Sequence, residues 1–115
     1  MEKAEKLAAE LAELRSKHGK VREFIVQTDE DDETQTLTFF LKPLDKPIRG
    51  MIEKLSKTKV ERAVVEGLKA LRLGGDDPEE LYKTDYGMLV AEQGLVEYMA
   101  ENQTILNQPE YAEKF

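Results

Sequence analysis

One short stretch confines this chain to an architecture of small packed elements: a helix ends, the backbone turns and a new helix begins within a dozen residues. The stretch is Ala70-Leu71-Arg72-Leu73-Gly74-Gly75-Asp76-Asp77-Pro78-Glu79-Glu80-Leu81. Two adjacent glycines supply the left-handed backbone that closes a helix. Asp77 is a natural N-cap, Pro78 suits the first helical position, and Glu80 completes a capping-box pattern. A chain of 115 residues that reverses so sharply here folds as one domain, with several short elements around one modest core.

The flanking segments supply those elements. Over residues 2–17, Ala4, Leu7, Leu11 and Leu14 recur at spacings of three and four, giving a helix with a narrow apolar stripe that Gly19 stops. Val21–Gln27 and Thr34–Leu41 are rich in β-branched and aromatic residues and predict two strands, joined by Thr28–Glu33 as an antiparallel hairpin. In the second strand Leu37, Phe39 and Leu41 share one face, and Thr36 and Thr38 the other. A lone hairpin is marginal in water and must pack on a helix. Pro43 and Pro47 end the sheet and admit a helix over residues 47–56, with Ile48, Met51, Ile52 and Leu55 on one face. A helix over 59–73 carries Val60, Val64, Leu68 and Leu71. Gly67 inside it costs about 1 kcal/mol relative to alanine and marks close approach by a neighbour. A short helical turn follows Pro78. A last helix over 85–101 turns Leu89, Val96 and Met99 inward, while Met88, Val90, Leu95 and Tyr98 make it apolar over more than one face. The fold class is therefore α+β: an N-terminal helix, an antiparallel β-hairpin, then three to four packed α-helices. Residues 1–101 form the domain, with 1–19 as a helix free to protrude, and 102–115 are a loosely held tail broken at Asn107-Gln108-Pro109.

Composition removes several classes of function. The chain has no cysteine, which excludes disulfides, thiolate metal sites and cysteine nucleophiles and suits a reducing cytoplasm. No apolar run reaches membrane-spanning length, and Met1-Glu2-Lys3-Ala4-Glu5-Lys6 lacks the basic start and apolar block of a signal peptide. A net charge of −7 repels nucleic-acid phosphates and anionic headgroups, so neither nucleic acid nor membrane is expected as a partner. The basic run Arg15-Ser16-Lys17-His18-Gly19-Lys20 reads as cations complementing a helix C-terminus.

No catalytic, cofactor or metal residues emerge. Asp29-Glu30-Asp31-Asp32-Glu33 lacks the glycine, the ligand spacing and the distal glutamate of a calcium loop, and reads as a solvated tip that resists edge-to-edge association. Gly74-Gly75-Asp76-Asp77 has aspartates where a phosphate-binding loop needs a cation. The single histidine, His18, stands among lysines and arginines with no nucleophile beside it. What remains is the leucine seam of the first helix and the many-sided last helix, which either cover the hairpin and complete the core or leave apolar surface to bury against another chain. The partner-binding candidates are Leu7, Leu11 and Leu14 on the first helix and Met88, Leu95 and Met99 on the last.

Three blocks in order carry a resemblance. Lys17-His18-Gly19-Lys20-Val21 opens a strand, Phe39-Phe40-Leu41-Lys42-Pro43 closes the second, and Ala70-Leu71-Arg72-Leu73-Gly74-Gly75-Asp76 follows a helix. Across residues 15–100 this order and spacing resembles phage and prophage proteins of the tail assembly chaperone type. The resemblance implies a non-enzymatic protein in the cytoplasm of a bacterial host. Such a protein needs no cofactor, keeps the long tape measure protein soluble, and helps to recruit tail tube subunits. The hairpin and last helices would offer the client surface. Two other readings stand beside it: a homo-oligomeric structural or virion component whose stripe pairs with itself, and a small acidic host-interaction protein that docks on a basic surface through its hairpin tip.

Overall fold

The computed structural model describes residues 2–106, with side chains through Glu101. The elements follow in the order α1 (Glu2–His18), β1 (Arg22–Asp29), β2 (Asp32–Leu41), α2 (Lys46–Ser56), α3 (Val60–Leu71), β3 (Arg72–Gly75), a 3-10 helix (Pro78–Lys83) and α4 (Asp85–Leu106). The α+β class, the N-terminal helix, the hairpin and the helices after it are all present.

The sheet is a three-stranded antiparallel one in the order β1-β2-β3. β1 and β2 pair from Arg22↔Leu41 to Asp29↔Asp32, so the hairpin turns on Glu30 and Asp31 alone and both strands reach further into the acidic tip than expected. Alternation along the strands loads both faces. Phe24, Val26, Phe39 and Leu41 point into the main core, where Ile52, Val64, Val65, Leu68, Leu71, Leu81, Met88, Ala91, Leu95 and Tyr98 complete it. Phe40 points the other way and joins Leu11 and Val21 in a second cluster, flanked by Leu7, Leu14 and Leu73. The fold thus has three layers: α1, the sheet, and the remaining helices. The first helix does not protrude; its leucine seam lies on the sheet. Gly19, at φ +79°, ends α1 as expected, and its N–H donates to the Arg15 carbonyl at 3.0 Å.

The turn at residues 70–77 corrects the sequence reading. Gly74 and Gly75 do not close α3. That helix ends at Leu71 with Arg72 already extended, and the glycines belong to β3, which pairs Phe39↔Gly75, Phe40↔Gly74 and Leu41↔Arg72. The glycines are there because other chain segments crowd them. A Cβ on Gly75, at φ +87°, would collide with the Thr38 carbonyl oxygen. One on Gly74 would stand 2.9 Å from Leu14 Cδ1. Asp76 extends the pairing: its N–H donates to the Thr38 carbonyl at 2.7 Å and its carboxylate accepts from the Thr38 N–H at 2.8 Å. The cap at Asp77 is as expected, its side chain accepting from the Glu79 N–H at 3.0 Å. Glu80 does not reach back to complete a capping box; it pairs with Lys83.

α2 starts where Asp45 caps it, accepting from the Ile48 N–H at 2.9 Å, with Pro47 in the first turn. Gly67 marks a close approach, as its cost implied: a Cβ there would stand 2.8 Å from Ile52 Cγ1, so α3 lies directly against α2. The last helix is rotated relative to expectation. Met88, Ala91, Leu95 and Tyr98 are buried, whereas Leu89 and Val96 are 62% and 63% exposed. Small residues decide the rotation. Gly87, Ala91 and Gly94 fall on one side of α4, and a Cβ on Gly94 would stand 2.8 Å from Phe24 Cζ, so only this side can approach β1. The last helix runs past residue 101, where the domain was expected to give way to a tail at 102–115. α4 continues through Leu106, and residues 107–115 lie outside the described residues.

Candidate functional site

α2 and α3 form a helical hairpin, and α4 runs beside it. Between them lies a groove of about 380 Å³. Its floor is Ile52, Ala63, Val64 and Leu95; Arg49, Glu53 and Ser56 on α2 form one rim, and Glu92, Val96 and Ala100 on α4 the other. Val60, expected in the core stripe of α3, is 42% exposed and stands at the rim. The volume holds the anchoring side chains of a docked segment rather than an enclosed small molecule.

The α4 rim has a definite sequence. Asp85, Leu89, Glu92, Val96 and Ala100 fall on one face at spacings of four, three, four and four. Acidic and apolar side chains alternate along it. Of the large hydrophobic side chains exposed among the described residues, Val60 and Val96 line the groove and Leu89 lies two turns before Val96 on the same face of α4, while Ile25 and Tyr82 stand elsewhere. Arg49 is held by Glu53 at 3.1 Å.

The six candidate residues for partner contact are distributed otherwise. Leu11, Met88 and Leu95 are buried, and Leu7, Leu14 and Met99 are half-buried. Leu7, Leu11 and Leu14 hold α1 to the sheet, and Met88 belongs to the main core. All six take part in packing in this fold, and Leu7 and Leu11 also line a hollow between α1 and the sheet. Only Leu95 and Met99 reach the groove, from below. The exposed residues the sequence reading placed inward are Val60, Leu89 and Val96. The small-residue side of α4 was the signal that could have identified them, because the face opposite Ala91 and Gly94 has to point outward.

Other polar clusters fasten the fold. The Arg22 guanidinium donates to the Glu101 carboxylate at 2.9 and 2.6 Å and lies over the Tyr98 ring, 5.2 Å from its centroid. That hydrogen bonding holds the Glu101 carboxyl below the usual carboxylate range, and burial raises the Tyr98 phenol above its ordinary value. The Tyr98 hydroxyl donates to the Lys42 carbonyl at 2.9 Å. Together these contacts tie α4 to β1 and to the end of β2. Lys69 and Glu79, 2.6 Å apart, tie α3 to the 3-10 helix. In the hairpin tip Asp32 accepts from the Thr34 N–H at 2.9 Å and hydroxyl at 2.6 Å, so its carboxylate serves the turn. Among the described residues no group of three or more His, Cys, Asp or Glu is disposed to hold a metal ion, and no helix is long and apolar enough to cross a membrane. His18 is exposed in the last turn of α1.

Comparison of the chain with protein-family models, with curated proteins and with solved structures gives no match.

Proposed function

We propose that this protein is a non-enzymatic binding protein of the tail assembly chaperone type. It holds an apolar helical segment of a tape measure-type client in the groove between α2, α3 and α4, in the cytoplasm of a bacterial host. The observation that carries this reading is the pairing of exposed Val60 and Val96 with an adjacent apolar floor, with Leu89 on the same face of α4 as Val96. A groove with apolar anchors along one rim is the surface on which an amphipathic helix lays its own stripe. The acidic remainder of the surface keeps a complex with an insoluble client dispersed. The resemblance in residues 15–100 supplies the class of client.

The test is co-expression with a tape measure-type protein, comparing the wild-type chain with the double variant Leu89→Lys, Val96→Lys. Both positions are solvent-exposed, so the variant keeps its helix content and melting temperature. The wild-type chain should yield a soluble complex, and the variant should leave the client in the pellet. Equal recovery of soluble client by both proteins refutes the groove as the client site.

A further inference from the structure

The proposed site constrains the chemistry of its guest through the charge on its two walls. Residues 46–71, the α2–α3 hairpin, carry seven Lys and Arg against three Glu, a surplus of four positive charges in a chain whose net charge is −7. α4 carries Asp85, Glu92, Glu97 and Glu101 and has neither Lys nor Arg. Of the charged residues that line the groove, Arg49 and Glu53 on α2 pair with each other and Glu92 stands on α4, so the surplus positive charge beside the groove comes from the α2–α3 turn. Lys57 and Lys59 lie in the exposed turn between Ser56 and Val60, both of which line the groove, and Asp85 and Glu92 share the outward stripe of α4 with Leu89 and Val96. Among the described residues none of these four charges is ion-paired.

Resting on the reading of the groove as the client site, we infer that the guest is an amphipathic helix with divided flanks. Lys or Arg along one flank meets Asp85 and Glu92; Asp or Glu along the other meets Lys57 and Lys59. The apolar stripe between them covers Leu89, Val96 and Val60. A divided guest satisfies both walls in one direction only, because reversing the helix places like charge against like. The walls therefore fix the polarity of the bound segment as well as its composition. A second copy of this chain is a poorer guest. Its exposed α4 stripe offers carboxylates alone, which can meet Lys57 and Lys59 but leave Asp85 and Glu92 without a cation.

The experiment titrates the full chain with three synthetic helical peptides of about five turns that share one leucine stripe. The first has Lys on one flank and Glu on the other, the second Lys on both, the third Glu on both. The divided peptide should bind about tenfold more tightly than either uniform one at low salt, as two or three exposed ion pairs allow. That difference should vanish near 1 M salt, where the Debye length falls to about 3 Å. Glu92→Lys should shift the preference toward the all-Glu peptide. The chain has no cysteine, so a single cysteine introduced at Tyr82 and spin-labelled should broaden resonances from one end of the divided peptide only. Equal binding of all three peptides overturns the charge inference and leaves the groove reading standing. Failure of all three to bind overturns both. A concentration-dependent dimer of the free protein that Val96→Lys dissociates also overturns the inference, because a second copy then holds the groove.

Discussion

Leu95 and Val96 are neighbours in the chain and differ by a single methylene group, yet their truncations should move stability in opposite directions. Leu95 is 3% exposed and packs in the main core, while Val96 is 63% exposed on the groove rim. Leu95→Ala removes buried carbons and leaves a cavity, which costs 2–5 kcal/mol in well-packed cores. Here the side chain also lines the groove, so water and neighbouring side chains can move into part of the vacated space, and the loss should fall at about 3 kcal/mol. In a domain of this size that lowers the melting temperature by about 10 °C. Val96→Ala removes surface that is already wet and replaces a β-branched helical residue by the best helix former, so it should stabilise by about 0.5 kcal/mol. Urea unfolding followed by circular dichroism reads both, with unchanged slopes expected because the unfolded surface is the same. Client recovery should rank the other way: Val96→Ala weakens it in a fully folded protein. A loss of 2 kcal/mol or more for Val96→Ala, with less than 1 kcal/mol for Leu95→Ala, would refute the assigned rotation of α4 and with it the groove.

Gly75→Ala should cost at least about 2 kcal/mol, since it forces a side chain into positive φ and against the Thr38 carbonyl. Gly50→Ala, in mid-helix with nothing within 4 Å of a new Cβ, should stabilise by about 1 kcal/mol in the same thermal melts. Asp76→Ala leaves the buried Thr38 N–H without its carboxylate partner and should cost about 1–3 kcal/mol, with faster hydrogen exchange at the Thr38 amide as its local signature. The folded-state pKa of Glu101 is depressed by Arg22, so its contribution is present above the ordinary carboxylate range and lost as pH falls through the lower folded value; Arg22→Gln should lower stability at neutral pH and leave the two proteins alike in acid, as measured by urea midpoints across pH 2–7.

Strong single-face signals made most of the architecture legible in the chain. The leucine spacing of α1, the β-branched runs of β1 and β2, the Pro47 start of α2 and the Asp77-Pro78 cap each encode one local structure with little competition. β3 was illegible because Arg-Leu-Gly-Gly has almost no intrinsic strand preference. It is a strand only because β2 offers an edge and because α1 passes close enough that Glu10 accepts a hydrogen bond from the Gly75 N–H at 3.2 Å. Those long-range partners are 31 to 65 residues away in the chain. No local pattern distinguishes that use of paired glycines from a helix cap.

The candidate site failed to show itself for a related reason. α4 is apolar on two sides, so periodicity gives two equivalent answers and hydrophobicity cannot choose between them. Size chooses. The helix must pass close to the Phe24 ring, and Gly94 permits that approach where Leu89 and Val96 do not. Once the small-residue side is turned to the sheet, Leu89 and Val96 are carried outward, with Glu92 between them and Asp85 one turn before Leu89. The outward stripe is thus a geometric consequence of seating α4 on glycine and alanine. Gly94→Leu should make this visible: the helix can no longer sit against β1, and either the fold is lost or α4 turns and Val96 loses its exposure to a solvent-borne paramagnetic probe. A folded variant in which Val96 stays as accessible as before would show that something other than the Phe24 contact sets the rotation.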